Sequence, residues 1–186
     1  MESKNQALVI RTEKSYLQDY TPQQAIKTLS SVKTLPDVFR VKTPTLGIMR
    51  RDCGEQFVID YLSLWIVTLN DMLNVSTRMN ETQVEYTARM ILAENPLLTI
   101  ADIKYVFDSA VTGKYGLLYN RLDPQVICTW FRKHWDDRLE AAENESMKEH
   151  SQHNSGNYER TAGKEIQAFK DAFKRWAQEQ KPDDLK

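Results

Sequence analysis

The sequence is poor in the residues that mark disulfide-bonded, metal-binding and membrane proteins. Its 186 residues include two cysteines, Cys53 and Cys128, which form no C-x-x-C pair and no spacing typical of metal ligands. A reduced cytoplasmic protein accounts for them best, with Cys128 as a small core residue and a disulfide as the less favoured alternative. No apolar run reaches the roughly 18 residues that a membrane span requires, and the start, MESKNQ, is not typical of a signal peptide. We therefore expect a soluble protein without a membrane segment.

The sequence also has no large excess of charge of one sign. Lysine and arginine number 25 against 26 aspartates and glutamates, so the net charge of −1 creates no overall field that would attract nucleic acid. The charge is nevertheless uneven, because residues 1–53 carry nine basic against five acidic side chains and residues 54–143 carry eight against thirteen. The basic excess lies in the N-terminal segment, where a disordered solvated chain would show the same balance.

No group of residues has the pattern of a catalytic site. His134 lies near Asp136 and Asp137, but no serine or cysteine occurs in the strand–turn–helix context of a nucleophile. We interpret Asp102 and Asp108 as charges on a helix surface rather than as an acid–base pair. The sequence therefore predicts a protein that is not an enzyme and has no cofactor.

The spacing of the candidate metal ligands also gives no support for a metal site. His150 and His153 form an H-x-x-H pair, but only Glu149 and the distant Glu159 are available as further ligands. We therefore predict that no metal is bound.

Helical periodicity is what the sequence does contain. The most apolar segment, from Glu55 to about Leu73, has apolar residues around nearly its whole circumference, which is typical of a central helix packed on several sides. Helices are also predicted from Pro22 to about Val32 and from Asn80, whose side chain can form a capping box with Gln83. Residues 43–49 predict a further helical turn, whereas residues 35–39 are interpreted as a loop or a single turn.

Two more helices are predicted between Thr99 and Trp135. Thr99 and Asp102 match a capping box, Gly113 stands where a left-handed residue ends a helix, and Asp123 precedes a proline suited to the first helical position. The apolar face of the second helix comprises Ile127, Trp130, Phe131 and either His134 or Trp135. The fold class is therefore mainly α: a compact bundle of four to five helices over residues 21–143, preceded by a flexible or weakly structured arm at residues 1–20.

The turn between these two helices carries a resemblance to a known family. The string GKYGLLYNRLDPQVICTW is similar to small proteins encoded by Bacteroidetes phages and mobile elements, with the pattern F-x-x-A-x-x-G-x-Y-G-x-x-Y followed by an acidic residue and an apolar helix. The matching positions are Phe107, Ala110, Gly113, Tyr115, Gly116, Tyr119 and Asp123. The resemblance covers about residues 45–140 and supplies no catalytic residues. It implies a phage or mobile-element setting in the cytoplasm of a host cell, where small helical proteins serve replication or host takeover.

The C-terminal residues form a separate segment in the sequence pattern. Residues 144–163 are polar and predict a flexible linker, and residues 164–181 resume helical periodicity on an otherwise charged helix. The apolar stripe of this helix, predicted to bind a partner protein or to fold back on the body, comprises Ile166, Phe169, Phe173 and Trp176.

A second candidate surface combines basic and aromatic residues. In the turn at Lys114, Tyr115, Tyr119 and Arg121, the aromatic rings could stack on bases and the cations could contact phosphates, although a tyrosine-packed helix connection would have the same composition. Arg50 and Arg51 offer an alternative phosphate-contacting surface.

These observations lead to one expected function and two alternatives. We expect a non-enzymatic adaptor or accessory factor of phage or mobile-element DNA replication or recombination, which acts through protein–protein contacts. The alternatives are a direct nucleic-acid-binding module and a structural, self-associating virion protein. The sequence predicts no oligomeric state.

Overall fold

The computed structural model describes residues 10–73, 75–116, 121–144 and 147. The chain divides into two compact units, residues 1–139 and 140–186, whereas the sequence predicts the end of the helical domain at residue 143.

The described residues contain eight helices and no β-strand beyond two isolated bridges. The helices are α1 (Glu13–Tyr20), α2 (Pro22–Thr28), α3 (Leu35–Arg40), α4 (Leu46–Cys53), α5 (Glu55–Met72), α6 (Glu81–Glu94), α7 (Ile100–Val111) and α8, which is helical at residues 124–144. The mainly α fold class is confirmed. The number of helices exceeds the predicted four to five because three segments of six to eight residues, α1, α3 and α4, form helices of their own.

Helix α1 occupies part of the segment that was expected to be a weakly structured arm. Thr12 caps it by accepting a hydrogen bond from the backbone N–H of Ser15. Tyr16 is fully buried, and its hydroxyl donates to Oδ2 of Asp52 in α4 at 3.0 Å. The helix is therefore held by a partner 36 positions away in the chain, and this contact leaves no signal in the local sequence.

Helix α3 corrects the interpretation of residues 35–39 as a loop or single turn. Thr34 and Asp37 form a capping box in which the backbone N–H of Thr34 donates to Oδ2 of Asp37 at 2.9 Å. Pro36 lies in the first turn, where a helix does not need its missing N–H group. The proline therefore begins this helix rather than breaking a preceding one.

The central position of α5 is confirmed. It packs against α4 on one side and α6 on the other. Trp65 of α5 stacks on Phe107 of α7 with ring centroids 5.6 Å apart, and Phe107 meets Phe131 of α8 edge to face at 5.7 Å. These three rings link α5, α7 and α8 through the core.

Four predicted helix ends are found where the capping residues placed them, whereas α2 ends at Thr28 and not at about Val32 as predicted. The capping boxes of Asn80 with Gln83 and of Thr99 with Asp102 are both formed. Asp123 accepts a hydrogen bond from the backbone N–H of Val126 at 3.0 Å, which caps α8. Gly113 follows α7 with a φ of 80°, the left-handed conformation expected of it.

The N-terminal ends of α4 and α7 lie side by side. Thr45 and Thr99, the N-cap residues of the two helices, form an antiparallel bridge. Three backbone hydrogen bonds flank this bridge: Leu46 N to Leu98 O at 2.9 Å, Gly47 N to Pro96 O at 2.8 Å and Ile100 N to Pro44 O at 3.1 Å. The approach is so close that a Cβ atom on Gly47 would lie 3.1 Å from the carbonyl oxygen of Pro96.

Two structural findings concern the predictions about the cysteines and about a membrane span. Cys53 and Cys128 are both free thiols, and Cys128 is buried, as expected of a small core residue. None of the helices in the described ranges has the length and apolar character needed to cross a bilayer.

Candidate functional site

A groove runs between α5 and α6, with a cavity volume of about 680 Å³. Residues of both helices and of the connection between them line it: Gln56, Asp60, Ser63, Leu64, Val67, Asn70, Asp71, Arg78, Met79, Glu81, Val84 and Glu85. Its volume is within the range of small-molecule and peptide-binding clefts in proteins. None of these residues was predicted from the sequence as a site residue.

Part of the groove wall is apolar and accessible. Leu64 and Val67 of α5 are 38% and 45% exposed, although they belong to the most apolar helix of the chain. Met79 and Val84 contribute buried apolar surface on the other side. The sequence signal was the apolar circumference of α5, which we interpreted as packing on several sides; the structure leaves the face with Leu64 and Val67 without a full partner.

Acidic side chains also line the groove. Four carboxylates line the groove against one cation, Arg78, which pairs with Asp71 at 3.1 Å. Glu85 pairs with Arg89 at 2.6 Å. Asp60 and Glu81 form no ion pair with the described residues. Asp60 accepts a hydrogen bond from the uncharged side-chain amide of Gln56 at 2.9 Å. The groove therefore retains negative charge on Asp60 and Glu81.

Asn70 adds a buried polar group to the same groove. Its residue exposure is 6%, and its amide nitrogen donates to the carbonyl oxygen of Met79 at 3.4 Å. Its Oδ1 atom is buried and accepts no hydrogen bond, as far as the described residues show. A buried amide oxygen without a donor is costly to the folded state.

A second polar cluster lies at the junction of α7 and α8, and it corrects the interpretation of Asp102 as a surface charge. The Asp102 side chain is fully buried. Its Oδ2 accepts from the backbone N–H of Thr99 at 2.8 Å and from the Thr99 hydroxyl at 2.7 Å. Its Oδ1 lies 2.8 Å from Nε2 of His134, and both oxygens accept from the guanidinium of Arg138.

Burial and the hydrogen-bonding partners of Asp102 have opposite effects on its pKa. Burial alone raises the Asp102 pKa, but the hydrogen bonds from His134 and Thr99 and the positive charge of Arg138 outweigh burial, so that the pKa lies below its ordinary value. His134 is also fully buried. A histidine–carboxylate pair that solvent cannot reach is suited to joining helices rather than to proton transfer with a substrate.

The candidate nucleic-acid residues of the glycine-containing turn have intramolecular partners. The ammonium group of Lys114 donates to the Tyr105 hydroxyl at 2.7 Å, and the Tyr115 ring stacks on Trp130 with centroids 5.9 Å apart. Burial raises the pKa of the Tyr115 hydroxyl. Arg121 is exposed and pairs with Asp123 at 3.0 Å. The ring of Tyr115 is therefore engaged in a helix connection in this structure.

The other candidate residues divide into two groups. Arg50 and Arg51 lie near the end of α4, where they pair with Glu55 and Asp52, both at 2.7 Å, and no contact found in the described ranges joins them to the turn. The remaining candidates lie outside the described residues: Tyr119, Ile166, Phe169, Phe173 and Trp176.

Comparison with known proteins gives no relative from which a function would follow. No protein-family model, curated protein or solved structure matches the chain.

Proposed function

We propose that this protein is a non-enzymatic adaptor that binds another protein through the groove between α5 and α6. The observation that carries the proposal is the combination of exposed Leu64 and Val67 with an acidic rim in a groove of about 680 Å³. Protein interfaces typically have an apolar centre surrounded by polar residues. The groove combines the same two kinds of surface, and a partner could contact it with an inserted segment.

The buried cluster supports a binding function over catalysis. Asp102 and His134 would be the natural acid–base pair of this chain, but both side chains are sealed from solvent. The Asp102 carboxylate is already occupied by Thr99, His134 and Arg138. A reaction would therefore have to use acid–base groups other than Asp102 and His134.

The biological setting of the adaptor is proposed from the resemblance to proteins of Bacteroidetes phages and mobile elements. It implies an accessory factor for DNA replication or recombination in the host cytoplasm, with another protein as the principal partner. The apolar stripe of Ile166, Phe169, Phe173 and Trp176 remains a predicted partner-binding surface.

Affinity capture with a groove variant tests the proposal. The full chain, Val67→Arg and Tyr86→Arg are used as baits in a lysate of a Bacteroidetes host, and the captured protein is then purified and titrated. Val67 lines the groove, whereas Tyr86 is 58% exposed on α6 outside it. We expect the full chain and Tyr86→Arg to bind equally and Val67→Arg to bind at least about tenfold more weakly, as expected when a charged side chain fills an apolar contact.

Equal binding by all three chains would contradict the groove as the binding surface. A chain that ends at Ala142 separates the contribution of the C-terminal stripe. Loss of the same partner from this shorter chain would assign the contact to the C-terminal residues instead.

A further inference from the structure

We infer that the α5–α6 groove accepts a partner segment in which lysine or arginine side chains stand next to apolar ones. This inference deepens the proposed function and rests on it, because it names the chemistry of the partner at the same groove. Two features of the groove lead to it, its uncompensated charge and its accessible apolar surface.

The first feature is the uncompensated charge. The cations nearest the groove are already engaged, since Arg78 pairs with Asp71, and Arg89 pairs with Glu85 and also contacts Oε1 of Gln56 at 3.4 Å. Asp60 and Glu81 are left without a cation in the described part of the chain. An acidic segment would be repelled by these carboxylates, whereas a basic one would be attracted and held in register.

The second feature is the accessible apolar surface between the carboxylates. Leu64 and Val67 stand on the same helix as Asp60, at spacings of four and seven residues, which places all three along one side of α5. Lysine and arginine have apolar stems below their charged ends, so one such side chain can cover this surface and still reach a carboxylate. Apolar neighbours in the partner segment would complete the burial.

A metal ion is a weaker occupant of this groove. Within the described ranges, no three carboxylate, histidine or cysteine side chains are grouped closely enough to hold one. The carboxylates are distributed along the rim on two helices, and the wall between them is apolar. This distribution suits an extended segment with several contacts rather than a single ion.

Selection from a random peptide library tests the inference before any partner has been identified. A displayed library of random 12-residue peptides is panned against the full chain, with counter-selection against Val67→Arg. We expect the surviving peptides to be enriched in lysine or arginine beside leucine, isoleucine or phenylalanine. Control selection with Tyr86→Arg should return the same peptides, because this residue lies outside the groove.

The outcomes separate the inference from the proposed function. Groove-dependent peptides that are neutral or acidic would overturn the inference about charge and leave the adaptor function standing. Failure to obtain any groove-dependent peptide would overturn both.

A charge variant then tests the named carboxylates. The double variant Asp60→Asn with Glu81→Gln should weaken the basic peptides about tenfold, and added salt should weaken binding to the original chain more than to the variant. The matched control is Glu13→Gln with Asp136→Asn, at two exposed positions outside the groove. Like the groove variant, it removes two negative charges, one of them from a glutamate in the first turn of a helix. Equal loss of affinity in both double variants would overturn the assignment of Asp60 and Glu81.

Discussion

Nε2 of His134 lies 2.8 Å from Oδ1 of Asp102, and solvent reaches neither side chain. The same carboxylate caps the first turn of α7 through Thr99 and accepts from Arg138 one helical turn beyond His134. One buried charge therefore fixes the start of α7 against α8. Both oxygens of the Asp102 carboxylate have partners, whereas Nδ1 of His134 is buried and has no hydrogen-bond partner among the described residues.

Replacement of Asp102 by asparagine should be strongly destabilising. The variant keeps the shape of the side chain but leaves Arg138 without its counter-charge and weakens the cap of α7. We expect Asp102→Asn to lower the free energy of unfolding by about 3 kcal/mol, measured by urea denaturation at pH 7. The exposed Asp136→Asn serves as control and should change it by less than about 0.5 kcal/mol. Equal stability of the two variants would contradict the role assigned to this carboxylate.

The same carboxylate should make stability sensitive to acid. The Asp102 pKa in the folded protein is lowered, whereas an unfolded aspartate titrates near pH 3.9, as an approximate reference. Because the unfolded chain takes up this proton first, acid favours unfolding. The contribution is present above about pH 4 and is lost as the pH falls through the lower folded pKa.

Unfolding curves of the original chain and of Asp102→Asn between pH 7 and pH 2 measure this contribution. The difference in their free energies of unfolding should shrink below about pH 4, since the variant has no group to titrate there. A difference that stays constant over the whole range would contradict the lowered pKa.

The capping of α7 could be predicted from sequence, but the burial of its capping carboxylate could not. Thr99 and Asp102 have the spacing of a capping box, and a box depends on residues within one helical turn. Burial of Asp102 depends on His134, which is 32 positions later in the chain. The sequence predicted either His134 or Trp135 on the buried face of α8. A capping aspartate is usually exposed, so only the packing of α8 on α7 distinguishes this one.

The candidate groove shows the same limit. The sequence predicted α5 as the central helix, and the residues that pack against α4 and α6 follow from its apolar circumference. Which part of that circumference stays open depends on where α6 crosses α5, and no local pattern determines this. Leu64 and Val67 lie on the open part and are 38% and 45% exposed in the structure.

Helix α1 should contribute to global stability through Tyr16. Its buried hydroxyl donates to Oδ2 of Asp52 at 3.0 Å, and burial raises the pKa of this hydroxyl, so that it stays a donor. Hydrogen bonds to charged groups contribute about 1.5–3 kcal/mol, so Tyr16→Phe should lower the free energy of unfolding by about 2 kcal/mol. Urea denaturation measures the change against Tyr86→Phe, an exposed tyrosine that should be neutral. Unchanged stability of Tyr16→Phe would mean that α1 is not held by this contact.

The close approach at Gly47 should exclude larger side chains. A Cβ at this position would already lie 3.1 Å from the Pro96 carbonyl oxygen, and that oxygen cannot retreat without lengthening its hydrogen bond to the Gly47 N–H. We expect Gly47→Val to lower the free energy of unfolding by about 1–3 kcal/mol, measured by thermal and urea unfolding. Ile48→Val introduces the same side chain at the exposed neighbouring position and should have little effect. A neutral Gly47→Val variant would show that the two segments can separate.

The paired starts of α4 and α7 have a consequence for folding kinetics. Their shared contacts include a hydrogen bond from the backbone N–H of Ala101 to the Thr43 hydroxyl, which spans 58 positions of the chain. Contacts of such high sequence separation close late, because the intervening chain must first lose its conformational freedom. We therefore expect the first turns of both helices to become protected from amide exchange in the same step.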